Sequence, residues 1–183
     1  MKYLFDLGRD PELAKQELFC KLESWSLSYK VISEFKEVII LDVENLKPRA
    51  LQKVLGGVVR IVELKSLDEL TLVDKEKWGF TSYGLTRAQH EEKLRELKEL
   101  FGTKYFKHSS RGGRKSLRLS PVDLVKKISR EFVFAYGFWG ETVAFFNPFT
   151  HISRDVKRPR VNESQMISIR LAKILINLSG VSK

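Results

Sequence analysis

Residues 38–64, VIILDVENLKPRALQKVLGGVVRIVEL, decide the fold class. Two β-branched runs, Val38–Val43 and Val58–Leu64, flank a short segment with helix punctuation. Branched side chains pack well on a pleated surface, so each run predicts a strand. Between them Asn45 predicts a helix N-cap, Leu51 and Val54 supply an apolar side, and the Gly56-Gly57 pair predicts the stop. The stretch therefore reads strand, helix, strand.

Upstream, Tyr3–Leu7 predicts a strand, and Asp10-Pro11 the cap and first residue of a helix running to about Ser24. Tyr29–Phe35 follows as a strand, joined to Val38–Val43 by a polar turn near Glu34–Glu37. Residues 1–66 thus have the order β-α-β-β-α-β, which predicts a ferredoxin-like domain.

Downstream, residues 65–77 form a charged connector in which LDEL can make a helical turn. Trp78–Leu85 predicts a strand. Thr86 caps a helix over Arg87–Phe101 whose apolar face carries Leu94, Leu97, Leu100 and Phe101. Tyr105–Ser109 and Lys115–Leu119 read as strands joined by the loop SRGGR, residues 110–114. Ser120 and Pro121 open another helix, with Val122, Val125, Ile128, Phe132 and Val133 on its apolar side and Tyr136-Gly137 at its end. Phe138–Phe146 is an aromatic strand. After a basic, proline-marked linker at 150–162, Ser164 predicts the cap of a last helix, about Met166–Leu178, apolar nearly all round. Such a helix is expected to be buried on several sides. The reading preferred here assigns it to a domain outside these residues, over packing back on its own chain. Overall the pattern is α+β.

The chain has 183 residues, 43% of them hydrophobic, enough for a core and too many for a disordered tail. Its net charge of +10 points to a polyanionic partner, nucleic acid ahead of an anionic membrane surface. The charge is split unevenly. Residues 1–101 hold 17 Lys/Arg against 18 Asp/Glu, whereas residues 102–183 hold 16 against 5. No apolar run reaches the ~18 residues that would span a bilayer. The start, MKYLFDLGRDPE, lacks a signal-peptide layout, and the single Cys20 excludes an internal disulfide. A cytoplasmic location is the default expectation.

Catalytic patterns are absent from the sequence. No Ser/His/Asp context stands out, and no G-x-G-x-x-G follows a strand. Gly112-Gly113-Arg114-Lys115-Ser116 lacks the glycine spacing of a phosphate-binding loop and reads as a turn. His90, His108 and His151 are far apart, so they read as surface residues and no metal site is expected. Basic side chains are more informative. Lys104, Lys107, Arg111, Arg114, Lys115 and Arg118 fall within fifteen positions, with Tyr105 and Phe106 among them. A strand-loop-strand with that content can meet a phosphate backbone, and one of the two aromatic rings can stack on an unpaired base.

Residues 140–181, GETVAFFNPFTHISRDVKRPRVNESQMISIRLAKILINLSGV, carry a further pattern. Its marked residues are, in order, Arg154-Asp155, Lys157, Arg158-Pro159, Met166, Arg170-Leu171-Ala172 and Asn177-Leu178. The stretch resembles the passage from a THUMP domain to a Rossmann-like methyltransferase in archaeal and eukaryotic tRNA guanosine N2-methyltransferases, especially those acting on guanosine 10. The resemblance implies residues 1–66 as the preceding ferredoxin-like domain and 67–149 as an α/β THUMP RNA-binding domain. Residues 150–183 become a linker and first helix leading to a methyltransferase domain beyond them. It implies recognition of the tRNA acceptor end, and S-adenosylmethionine as cofactor only of that further domain. The expected partners are tRNA and a Rossmann-like methyltransferase domain, in cis or as a separate subunit, with no membrane and an optional dimer through the last helix. The glycine-rich methyl-donor loop and the Asp-Pro-Pro-Tyr motif of the family are not in these residues, so no catalytic residue is expected. RNA contact is expected from Lys104, Lys107, Arg111, Arg114, Lys115 and Arg118, and from the linker residues Arg154, Lys157, Arg158 and Arg160. The alternatives are a stand-alone RNA-binding adaptor and the THUMP module of a thiolation or pseudouridylation enzyme.

Overall fold

The structure, a computed structural model, describes residues 1–72, 76–102, 117–150 and 167–180. It is α+β, and it divides into two compact units: Met1–Ile61 with Val143–Lys183, and Val62–Thr142.

In the first unit the elements run β1 (Lys2–Asp6), α1 (Pro11–Ser24), β2 (Tyr29–Glu34), β3 (Val38–Val43), α2 (Pro48–Val54) and the start of β4 (Arg60–Lys65). The strand order is β2-β3-β1-β4. β1 and β3 are antiparallel, with Lys2 opposite Asp42 and Asp6 opposite Val38. This register puts Tyr3 and Phe5 on the same face as Ile39 and Leu41, because side chains alternate along a strand. That face joins Ala14, Leu18 and Leu22 of α1 and Leu51 of α2 in one core. β2 lies at the edge, and its pairing with β3 shifts between Val31 and Ser33, an irregularity of the kind that blunts an exposed edge.

The expected start of the second helix is corrected. Asn45 has φ +54°, in the left-handed region that Asn tolerates, and Lys47 holds the cap position before Pro48. Proline at the first helical position fixes φ and gives up an N–H that would lack a helical partner anyway. The Gly56-Gly57 pair also has a different role from the one its sequence suggests. Leu55 already ends α2 in an extended conformation. The glycines allow close approach: a Cβ on Gly57 would lie 2.5 Å from the Ala14 Cβ.

In the second unit, β4 continues, Ser66 and Glu69 close a capping box around a 3-10 turn at Leu67–Glu69, and β5 (Trp78–Tyr83) and α3 (Arg87–Phe101) follow. α4 (Pro121–Lys126), β6 (Arg130–Ala135) and β7 (Phe138–Phe145) complete it, with strand order β4-β7-β6-β5. β5 and β6 are parallel, which requires a crossover, and α3 lies in that connection. Thr86 caps α3 as expected, with Gln89 completing the box. Leu94 and Leu97 pack with Trp78, Phe80, Phe132 and Phe134, so Phe132 and Phe134 share the helix-covered face.

Here two expectations fail. The helix opened by Ser120 stops at Lys126, and Arg130–Ala135 is a strand. Phe132 and Val133 are buried on β6, while Val122 and Val125 stay exposed. The sequence EFVFA holds only β-branched, aromatic and small residues beyond its glutamate, and all of Glu131–Ala135 are buried, so both faces of the strand are covered. Tyr136-Gly137 is therefore a two-residue hairpin turn with φ +49° and +94°, the type I′ pattern. His90 is not a surface residue: it is 4% exposed, stacks on Phe80 and shares a 2.8 Å hydrogen bond with the Ser82 hydroxyl. It lies four residues before Leu94, on the helix face that meets the core. The expected strands at 105–109 and 115–119 fall largely outside the described residues, and residues 117–119 are not assigned to a strand.

Candidate nucleic-acid interface

Of the ten residues expected to contact RNA, Arg118 is described. Lys104, Lys107, Arg111, Arg114, Lys115, Arg154, Lys157, Arg158 and Arg160 lie outside the described residues. The chain around Arg118 is fixed against β5. The Ser82 amide donates to the Leu117 carbonyl at 2.9 Å, and the Leu119 amide donates to the Thr81 hydroxyl oxygen at 3.0 Å. Thr81 in turn donates to the buried carboxylate of Glu131, whose other oxygen accepts from Thr142 at 2.6 Å. Buried polar groups of this kind persist only when satisfied, and here the chain of bonds ties the end of the basic segment to three strands. Arg118 itself lies over the Tyr83 ring, 4.6 Å from guanidinium carbon to centroid.

Next to it, Ser120 caps α4 by accepting from the Asp123 amide at 3.2 Å, and its hydroxyl donates to the Asp123 carboxylate at 2.7 Å. Burial pushes the Asp123 carboxyl up, but the Ser120 hydrogen bond and the Lys127 ammonium outweigh it and hold the group below its usual value. Not all of the basic excess faces outward. Arg130 pairs with Glu76 at 2.8 Å and Glu141 at 3.1 Å, and donates to the Thr71 carbonyl.

The last helix, α5 (Ile169–Leu178), belongs to the first unit and packs on α1. Its cap is Ser168, which accepts from the Leu171 amide; Ser164 and Met166 lie outside the described residues. The expectation of burial on several sides is corrected. Only Ile169 and Ile174 are buried, while Leu171, Leu175 and Ile176 are exposed. The inward face combines the two buried isoleucines with polar side chains. Arg170 donates from Nε to the Gly56 carbonyl and from Nη2 to the Gly57 carbonyl, at 2.7 and 2.9 Å, and covers the Phe146 ring. Burial lowers the pKa of this guanidinium, against the opposing charges of Asp6, Glu17 and Asp10. Asn177 donates to Glu17 at 2.7 Å and to the Val54 carbonyl at 3.0 Å. Lys173 reaches the Lys53 carbonyl.

Glu17 was not singled out in the sequence. Its carboxylate is fully buried in α1 and accepts the Gly56 and Gly57 amides at 2.8 Å each. The available signal was a glutamate between Ala14 and Leu18 on the apolar side of the helix. The turn at Gly56-Gly57 is thus held on both sides, its amides by Glu17 and its carbonyls by Arg170. Space there is tight: a Cβ on Gly56 would lie 2.2 Å from the Arg170 carbonyl oxygen. Gly56→Ala is therefore expected to undock α5 while the strands stay folded. Hydrogen exchange should speed up at the α5 amides and remain slow in β1 and β3; unchanged exchange in α5 would sink this account.

Among the described residues no cluster of His, Cys, Asp and Glu could hold a metal ion, and no helix is long and apolar enough to cross a membrane. No protein-family model and no curated protein matches the sequence.

Proposed function

We propose that this chain is the tRNA-binding, acceptor-end-recognising N-terminal part of an S-adenosylmethionine-dependent tRNA guanosine N2-methyltransferase, with no catalysis of its own. The observation that carries the reading is the charge division: 16 basic against 5 acidic residues after position 101, and no such excess before it. A positive excess of this kind attracts a polyanion and makes its binding salt-dependent. The order β2-β3-β1-β4 within a β-α-β-β-α-β sequence fits a ferredoxin-like first domain. Residues 67–149 would then be THUMP. The step from RNA to tRNA, and to methyl transfer, rests on the resemblance of residues 140–181.

The outward face of α5 supports a protein partner. Helices on a surface normally turn apolar residues in and polar residues out. Here Arg170, Lys173 and Asn177 are turned in, and Leu171, Leu175 and Ile176 are turned out. An uncharged apolar face suits a protein domain better than RNA, and the methyltransferase domain is the occupant this reading supplies.

The test uses the 183-residue chain and labelled tRNA. Reversing both Arg111 and Arg114 to Glu is expected to weaken binding at least tenfold. The slope of log K against log salt should become shallower by roughly 0.9 per lost phosphate contact. tRNA trimmed of its 3′ end is expected to bind more weakly than intact tRNA; equal affinity would remove acceptor-end recognition. A stand-alone RNA-binding adaptor is the second reading, favoured by the docking of α5 on its own chain through Arg170 and Asn177.

A further inference from the structure

The residues of α5 divide into two halves around the helix axis. At about 100° per residue, positions 169, 173, 177, 170 and 174 follow one another around one side, and 178, 171, 175, 172 and 176 around the other. The first half holds Arg170, Lys173 and Asn177, every polar side chain of the helix, together with the buried Ile169 and Ile174. The second half is wholly apolar: Leu171, Ala172, Leu175, Ile176 and Leu178. This second half faces solvent, with Leu171, Leu175 and Ile176 38%, 47% and 57% exposed.

Apolar burial alone would favour the opposite roll. A half turn of the helix would cover an all-apolar side where two isoleucines are covered now. The seat of the helix explains why it keeps its present roll. α5 meets the end of α2, where the last carbonyls have no helical partner. Asn177 donates to the Val54 carbonyl, and Arg170 donates to the Gly56 and Gly57 carbonyls just beyond it. Asn177 also donates to the fully buried Glu17 carboxylate. Pressed against leucine side chains, these acceptors would lose their donors where water has little access, and unsatisfied polar groups are costly there.

We propose that Arg170 and Asn177 set the roll of α5, and so hold its apolar half outward as an open surface for a protein domain. Polar groups at a helix contact can select one orientation among those that apolar packing would accept. The inference rests on the protein-docking reading of this face and deepens it, because it names the two residues that present the surface.

The experiment reads the roll in the whole chain, with Cys20→Ser so that a single introduced thiol remains. Leu175→Cys places that thiol on the outward half, and Ile174→Cys places it on the inward half. With Arg170 and Asn177 in place, the thiol at 175 is expected to react with a soluble maleimide about tenfold faster than the thiol at 174. Arg170→Ala with Asn177→Ala removes the bonds to the seat and keeps helix propensity high. In that background the order of the two rates is expected to reverse, because apolar burial then decides the roll. Arg170→Lys with Asn177 retained should keep the original order, since donors to the seat remain. Leu171→Cys and Ile169→Cys repeat the comparison one turn earlier, in case a thiol at 174 unfolds the helix. An unchanged order in the double-alanine background would overturn the proposal, because something else would set the roll. Two fast thiols there would overturn it as well, because the bonds would then dock the helix without orienting it. The labelling needs no partner, so its failure removes the presenting role of Arg170 and Asn177 without touching the docking reading. A failure of docking, in turn, would leave the measured roll as it stands.

Discussion

Asp6→Ala should cost the first unit about 3–5 kcal/mol, enough to unfold it if its stability is ordinary. Asp6 is 5% exposed and its carboxylate lies 3.1 Å from Nε of Arg60, which is 2% exposed. The substitution removes the carboxylate but leaves the buried guanidinium. Taking a charge out of water costs several kcal/mol, and here the opposite charge offsets that cost only while both partners are present. The Gly8 amide also loses its acceptor, at 3.2 Å. Replacing both partners, with Leu at 6 and Met at 60, should be far milder than either single change, because neither charge of the pair is left without the other. Urea denaturation of the three variants measures the difference. A loss below about 1 kcal/mol in Asp6→Ala would mean that water reaches the pair and that it behaves as a surface ion pair.

Gly57→Ala should cost about 3 kcal/mol, the upper end for forcing extra volume into a packed site. The added Cβ would lie 2.5 Å from Cβ and 2.7 Å from Cα of Ala14, and 3.1 Å from the Glu17 carboxylate. The Cα belongs to the backbone of α1 and cannot rotate away. The same shift would pull the Gly57 amide off Glu17, which it meets at 2.8 Å. Ala14→Gly in the same chain should therefore restore only part of the loss, since it clears the clash with the Ala14 Cβ and leaves the one with its Cα. A melting temperature equal to wild type in the single variant would show that α1 can move away freely, and the close-packed account of the glycine pair would fall.

How much of this was readable depends on where the information sits. The strand at Val38–Val43, the capped helix at Arg87–Phe101 and the start of α4 were legible because each is decided by its own residues: a branched run, a Thr-x-x-Gln box and a Ser-Pro pair. The region around 120–137 was misread because Val122, Val125, Ile128 and Phe132 also satisfy helical spacing. Periodicity alone does not separate a long helix from a short helix followed by a strand buried on both faces. His90 and Glu17 were missed for a related reason. A polar residue among charged neighbours reads as solvated until its partner, Ser82 or the Gly56-Gly57 turn, is brought beside it from elsewhere in the chain.

By itself the sequence determined the α+β class, most of the strands and the concentration of positive charge after residue 101, because these follow from residue type and short-range order. Tertiary structure decided what long-range packing alone can decide. It put Glu17 and Arg170 on opposite sides of one glycine turn, brought Asn177 of α5 to Glu17, and laid Arg118 over the ring of Tyr83. Those pairs are separated by dozens of residues in the chain, and no local pattern records which of them will meet.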